Sequence, residues 1–524
     1  MFKINPNPPT SALSYVHSDI IRPISINDPT SGNGSATFIF RNIGTLDHNT
    51  SIRLPIILSD EHKFLPLNVG ILSVIKSAVL KSGGDIICQN HDVAVSANIF
   101  NSSKSVSFKR NVLSANHGYI ATFQPSEAGV LNTANPLGKI SMNLGNGAYT
   151  EASPMLEASG KQGDSEEYAN YIATNDASTT LQAVISLKDL FPYAGEVLNL
   201  PLNLIKDEIS LVLHFSRNGA DSLTNDRVCS FATQTAGAYT ATVDTANVEC
   251  LVDYLIFKDE SEDAAEIYGP KGKVIHYSDI NFNTYNMDGL AATASIRNRK
   301  TYDFSLSATN QSIRQMYLQF CPAAAAAVQR DSGSGNDNQH FNTDSVLFGK
   351  YSSFCPSQLQ DGMRFQMFIN QRQLFQEPLQ NYAQYITEYE NAIDSKLQIP
   401  QSLYSFIDGS NTEGDVGNLG EDNFSKSLVS NIAQAQGWFQ ASALVGSNFI
   451  VGVDLEKKVL YPDGKYRRVM VPGSGTRINE APIKLKLETL CRKDKNNDKR
   501  LLKVMSVVEK NLIIKSGQIM ILDA

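Results

Sequence analysis

A hydrophobic period of two, repeated in short segments along almost the whole chain, constrains this sequence more than any other feature. "SIRLPIIL" (51–58), "EISLVLHF" (208–215) and "APIKLKLETLC" (481–491) alternate apolar and polar residues. In an extended backbone that spacing puts the apolar set on one face, where a second sheet can cover it, and the polar set on the other. Clusters of Gly, Asn, Asp, Ser and Pro separate the segments and supply the turns.

The first group of such segments also includes "ATFIF" (36–40), "DIICQ" (85–89), "SVSFKR" (105–110), "GYIATF" (118–123), "TLQAVISL" (180–187) and "VECLVDYLIF" (248–257). After an acidic polar stretch suited to a domain junction, "KDESEDAAE" (258–266), the texture resumes. The second group runs through 273–283, 301–308, 313–321, 363–370, 448–455 and 481–491, and closes with "LLKVMSVVE" (501–509) and "NLIIKSGQIMIL" (511–522). The expected fold is all-β: two tandem eight-stranded jelly-roll sandwiches with a few short inserted helices. At 524 residues the chain is long enough for both. The expected division is an N-terminal arm over 1–30, a first jelly roll over 31–260 and a second over 261–524. No short-period repeat accompanies the duplication, which rests on strand count.

Helical spacing is rare. Residues 373–393 place Leu379, Tyr382, Ala383, Ile386, Tyr389 and Ile393 on one face of an inserted helix. Residues 422–438 predict a second helix that stops at Gly437, and 186–197 a short helical turn. In "FLPLNVGILSVIKSAVLKSGG" (64–84), Asn68 is the expected cap of a short helix carrying Ile71, Val74, Ile75 and Ala78 on one stripe. "AVLKSGGDIICQ" then reads as a hairpin. Lys76, Lys81 and the glycine pair exclude a membrane span there. The low-complexity segment 323–340 reads as an exposed loop.

Composition narrows the function classes. A net charge of -8 opposes coating of nucleic acid, which needs clustered Lys and Arg, and the basic run Arg492–Arg500 contains two Asp. No run of about 18 apolar residues is present, and the first residues lack the apolar centre of a signal peptide, so a soluble protein made inside the cell is expected. The six scattered Cys form no CxxC pair and read as reduced structural thiols.

Catalytic spacing is equally scarce. "VPGSGTR" (471–477) has neither the spacing nor the Lys of a phosphate loop, and reads as a tight turn. "DKNNDK" (494–499) begins like a calcium loop but has Lys499 where the turn needs Gly and Met505 where the closing Glu should stand. "CQNHD" (88–92) gathers thiol, imidazole and carboxylate, but catalytic groups are usually brought together by the fold, and a polar strand end is the simpler account. No catalytic, cofactor-binding or metal residue is therefore expected, and no enzyme. A paired-carboxylate glycosidase stays open on sequence grounds, although the single Trp, Trp438, gives a sugar groove little support.

Several longer words resemble those of one family. "LDHNTSIRLPII" followed by 64–84 resembles the early segment of double jelly-roll major capsid proteins of virophages and polinton-like viruses, with its Leu/Pro-Asn-x-Gly-Ile/Leu element, here Leu67 to Ile71, and Ile-Lys pair. "LKDLFPYAGEV" is similar to a turn late in their first jelly roll. "FQMFINQRQLFQEPLQNYAQYITEY" resembles their second-domain strand and helix, and "GWFQASALVGSNFIVGVDLEK", "GSGTRINEAPIKLKLE" and "SVVEKNLIIKSGQIMI" their last strands. These short matches occur in order over most of residues 36–524.

The resemblance implies a homotrimer forming a pseudo-hexameric capsomer that tiles an icosahedral shell. Neighbouring capsomers, penton and minor capsid proteins would be its partners, with or without an internal membrane and without direct sequence-specific nucleic-acid binding. The location would be the virion, after synthesis and assembly in the host cell. "NPNPPTSALS" would be an arm reaching a neighbour, and the insertions around 124–176, 323–350 and 395–425 leave a low-topped capsomer. A β-sandwich carbohydrate-active enzyme or lectin is the alternative; a penton or minor component, with one jelly roll, fits the two strand sets less well.

Overall fold

Two β-rich halves, each a pair of facing antiparallel sheets, are what the period-two segments build. The computed structural model describes residues 13–27, 34–58, 63–64, 70–103, 179–194, 197–215, 230–231, 241–257, 260–287, 298–306, 311–322, 364–380, 382–393, 450–456, 458–460, 466–468, 474–478, 482–491 and 500–523. The expected strands at 105–110 and 118–123, the helix at 422–438, the Asn68 cap, the 323–340 loop, the 494–499 segment and the three insertions lie outside the described residues.

The first half contains β1 (Leu13–Ile21), β2 (Ser25–Asn27), β3 (Ser35–Ile39), β4 (Thr45–Leu46), β5 (Ser51–Leu58), β6 (Lys63–Phe64), β7 (Ile75–Ser82), β8 (Asp85–Asn90), β9 (Thr179–Ser186), β10 (Ile209–Phe215), β11 (Ser230–Phe231), β12 (Ala241–Val243) and β13 (Glu249–Phe257). One sheet runs β1-β13-β5, with β9 and β12 also on β5 and β4 on β13; the other runs β2-β3-β10-β7-β8. The second half contains β14 (Lys273–Met287), β15 (Asn298–Leu306), β16 (Ser312–Pro322), β17 (Arg364–Ile369), β18 (Arg372–Gln373), β19 (Ile450–Asp454), β20 (Lys458–Leu460), β21 (Tyr466–Arg468), β22 (Thr476–Arg477), β23 (Ile483–Cys491), β24 (Arg500–Lys515) and β25 (Gln518–Asp523). Its sheets run β14-β24-β16-β19, with β22 on β16 and β25 on β24, and β15-β23-β17-β18. β6 pairs with β11, and β20 with β21, as separate two-stranded ribbons.

Alternation decides what is buried. On β10, Ile209, Leu211, Leu213 and Phe215 enter the first core while His214 faces out, and on β23 Ile483, Leu485 and Leu487 enter the second while Lys484 is exposed. The residues read as an arm, 1–30, include two sheet strands: β1 pairs with β13 and β2 with β3.

Helices are few, as expected, but their details differ. Ser186 caps α2 (Leu187–Leu190): its hydroxyl accepts from Asp189 N, and Asp189 Oδ2 accepts from Ser186 N at 2.9 Å. The stretch 64–84 is corrected. Among its described residues Gly70–Val74 form a 3-10 turn, and Ile75 already starts β7. β7 has hydrogen-bonded neighbours on both sides, β10 and β8, and a helix through Ala78 would leave both edges open. The hairpin itself forms, with Gly83 at φ +55°.

Four further differences share one cause, packing that sequence spacing does not reveal. α1 (Val93–Ser103) was not anticipated: residues 92–99 are all buried, so no polar face betrays a helical period. The acidic junction becomes α3 (Ser261–Tyr268), with Ile267 alone fully buried. The helix at 373–393 is α4 (Tyr382–Ile393), after β18; of the expected stripe Leu379 and Tyr389 are buried, and Tyr385 and Ala392 are buried beside them. Finally, the two closing segments up to 515 are one strand, β24, before the Ser516–Gly517 turn.

α4 lies against β19 at Gly452, where a Cβ would stand 2.8 Å from Tyr389 Cα and 3.1 Å from Ala392 Cβ. Gly452→Ala is expected to destabilise by about 1–3 kcal/mol through overpacking. Gly84→Ala, where a Cβ meets nothing within 4 Å, serves as the control in denaturant titrations.

Candidate functional site

Among the described residues, a dense set of buried polar groups lies at the seam between the halves. β14 and β24 pair over their full length, from Lys273↔Ile514 to Met287↔Arg500. Tyr277, Leu512 and Ile514 belong to the first core, whereas Ile280, Met287, Leu502, Val504, Met505, Val507 and Val508 belong to the second. Where the ladder passes from one core to the other, its apolar pattern is interrupted by Ser278–Asp279 and Glu509–Lys510, all buried except the partly covered Lys510.

Each of these four groups has a partner. Lys510 Nζ donates to Asp279 Oδ2 at 2.6 Å, and Gln89 N, from β8 of the first half, donates to Asp279 Oδ1 at 3.2 Å. Ser312 Oγ donates to Glu509 Oε2 at 2.5 Å and Gly475 N to the same oxygen at 3.3 Å. A bulge between Ile313 and Gln315 frees Arg314 to bond Ser278 Oγ at 3.0 Å and Glu456 Oε1 at 2.6 and 2.7 Å.

A second set ties α1 into the opposite half. Asp92 Oδ1 accepts from Val95 N at 3.3 Å, capping the helix, while Oδ2 pairs with Lys503 of β24. Val95 and Ile99 enter the second core, and Tyr389 Oη donates to Ile99 O at 3.0 Å. Tyr193, beyond α2, stacks edge-on against Phe100 and donates to Gln315 Oε1 at 2.5 Å. In return Tyr277 Oη donates to Ile87 O at 2.5 Å, and Lys206 N to Gly517 O at 2.8 Å.

Burial, more than Lys510 offsets, raises Asp279 above the usual carboxylate range. A folded value above the unfolded one means that this group's contribution is fully present below the unfolded carboxylate range and is lost as pH rises through the raised value. The charged form of Asp279 is held by Lys510 and Gln89 N.

The sequence words weighed for chemistry are dispersed. Cys88 is in the first core, His91 is exposed, and Asp92 is committed to Lys503 and the α1 cap, so "CQNHD" assembles no nucleophile and base. Burial, then Asp279, holds Cys88 well above an ordinary thiol, and burial pushes Cys250 up to about 12. Of "VPGSGTR", Gly475 makes a close backbone approach: a Cβ there would stand 2.5 Å from Ser312 Oγ. Among the described residues no group of three or more His, Cys, Asp or Glu could hold a metal ion, and no helix is long and apolar enough to cross a membrane. The seam itself was missed, although its polar pairs interrupt otherwise apolar strands and were open to view.

Two outcomes follow from this geometry. Lys510→Met is expected to cost about 3 kcal/mol at pH 7 by leaving Asp279 buried without its cation. The deficit should shrink as pH falls and Asp279 takes a proton, and Asp279→Asn in the same chain should recover most of it, as read by urea unfolding. At pH 9 only about one part in a thousand of Cys250 is thiolate; iodoacetamide should modify Cys88 and Cys250 only after denaturation, as peptide mass mapping would show.

No protein-family model matches the chain, and no curated protein matches it. Solved structures do. A chain of the Sputnik virophage structure determined by cryo-EM is 12% identical, with 98% of this chain and 89% of that one covered, at a TM-score of 0.50. The Faustovirus major capsid protein is 11% identical, covering 98% and 93%, at 0.48. The mavirus major capsid protein is 10% identical, covering 98% and 90%, at 0.47. What this chain shares with the Sputnik chain, along nearly its whole length, is the fold.

Proposed function

We propose that this chain is a viral major capsid protein made of two tandem eight-stranded jelly rolls, the first beginning at β1 within the residues read as an arm and the second at β14, that trimerises into pseudo-hexameric capsomers tiling an icosahedral shell. One observation carries the reading: the same strand order occurs twice. Counting β1, β3, β5, β7, β8, β9, β10 and β13 as one to eight, one sheet of the first half joins 1-8-3-6 and the other 2-7-4-5. Counting β14, β15, β16, β17, β18, β19, β23 and β24 likewise, the second half joins 1-8-3-6 and 2-7-4-5 again. That is the path of a chain wrapped as a jelly roll. The Sputnik likeness spans both halves, which supports the pair rather than one sandwich.

Two similar blocks per chain give a physical route to the shell. Three chains closed by a three-fold axis present six blocks to their surroundings, so a trimer can occupy a hexagonal position. Function then resides in subunit contacts and outward surface, with penton and minor capsid proteins as further partners and the virion as its location. The proposal includes no cofactor, catalytic or metal residue and no direct sequence-specific contact with nucleic acid.

The purified protein is expected to run as a trimer by light scattering and to appear as hexagonal plates in negative stain. A monomer that stays stable at micromolar concentration would sink the proposal, and glycan binding by that monomer would favour the lectin reading instead.

A further inference from the structure

Where the β14–β24 ladder passes from one core to the other, it is two strands wide among the described residues. On its edge away from β14, β24 pairs with β16 as far as Val508 and with β25 from Lys510 onward, so at Glu509 the backbone has a strand on one side alone. β14 in turn pairs with β24 and with no other described strand. Two-stranded ribbons twist over a wider range than full sheets while their hydrogen bonds stay intact. The ribbon therefore resists a hinge but leaves the twist between the two sandwiches free.

A second link removes that freedom. α1 is rooted in the first half: Val93, Ala94 and Ala97 belong to the first core, and Asn90, which ends β8, donates to Leu190 O of α2 at 2.8 Å and to Ser96 Oγ at 2.7 Å. Its remaining contacts cross over. Val95 and Ile99 belong to the second core, Ile99 O accepts from Tyr389 Oη of α4, and Asp92 pairs with Lys503 of β24. Lys503 is six residues from Glu509, about 20 Å along an extended strand, so the tie acts on a long lever. A twist at the crossing would have to draw Val95 and Ile99 out of an apolar core and part a buried lysine from a buried aspartate.

We infer that α1 is a brace that sets the angle between the two sandwiches: the ribbon joins them, and the helix fixes how they stand. The brace is a property of the single chain. Its use, a tile whose two blocks meet their neighbours alike in every copy, rests on the capsid reading.

The test uses the full chain. Spin labels on unnatural side chains at His214 of β10 and Thr301 of β15, both exposed, report the distance between the halves, with labelled chains diluted among unlabelled ones. Asp92→Asn with Lys503→Gln removes the charge pair and keeps a helix cap, because Asn caps as well as Asp. Val95→Ala with Ile99→Ala withdraws the helix from the second core. Leu485→Ala, on β23, is the control: it opens a cavity in that same core from another element. The parent and the control should each give one narrow distance, and both brace variants a broad spread, while the amides of β10 and β23 stay protected from exchange and so report that both sandwiches are folded. Tyr389→Phe, which removes only the hydroxyl bonded to Ile99 O, should broaden the distance less and serves where a double variant does not fold. A parent that is already broad, brace variants as narrow as the parent, or a control as broad as they are would each overturn the brace. A parent that never trimerises sinks the capsid reading and leaves this measurement standing.

Discussion

One strand pair holds this molecule together. β14 and β24 supply apolar side chains to the first core at one end and to the second core at the other, so neither sandwich is complete without a ladder that both share. Ile519, on β25, adds to the first core as well, although it lies 251 residues after Tyr268 closes α3. A cut after α3 would separate two sequence blocks but would open a core, since Tyr277, Leu512 and Ile514 would leave with the second block. The halves are thus distinct as sheet pairs and joined as a folding unit.

The polar residues at the crossing explain why the ladder has one register. A two-residue slip of β24 against β14 would keep every side chain on its own face, so alternation alone does not forbid it. In one direction, however, it would take Lys510 from Asp279 and set it opposite Ile275; in the other it would set Glu509 opposite Ile280, and in both Glu509 would leave Ser312 and Gly475. Charges stripped of partners in that environment cost several kcal/mol each. The seam pairs thus act against misalignment more than they add stability, which fits the raised value of Asp279 even in the correct register.

How much of this could be read from the sequence depended on whether local pattern or distant partners decided the outcome. "SIRLPIIL" is β5 from end to end, and 208–215 became β10 within a residue, because half-buried strands announce themselves by alternation. "LKDLF" formed α2 because Ser186 and Asp189 cap it locally. α1 gave no such signal, being buried on every side against two halves at once. Ile75 and Ala78 fitted a helical stripe, but β10 and β8 on either side decided for a strand. At the seam, Asp279 and Lys510 stand 231 residues apart, and no spacing rule connects them. The thiol, imidazole and carboxylate of "CQNHD" were adjacent in sequence, yet one faces a core, one solvent and one a lysine of the other half.

The same seam bears on assembly. Domains joined by a linker move relative to one another unless a large apolar interface prevents it. Here the backbone ladder runs without interruption from one sandwich into the other, with α1, Tyr193 and the Asp92–Lys503 pair bracing it from the first half. A hinge at this point would have to break strand hydrogen bonds and unpair buried charges together. On the proposed capsid reading, a fixed angle between the blocks lets copies meet their neighbours in the same way each time, and the paired charges buried at the seam hold that angle.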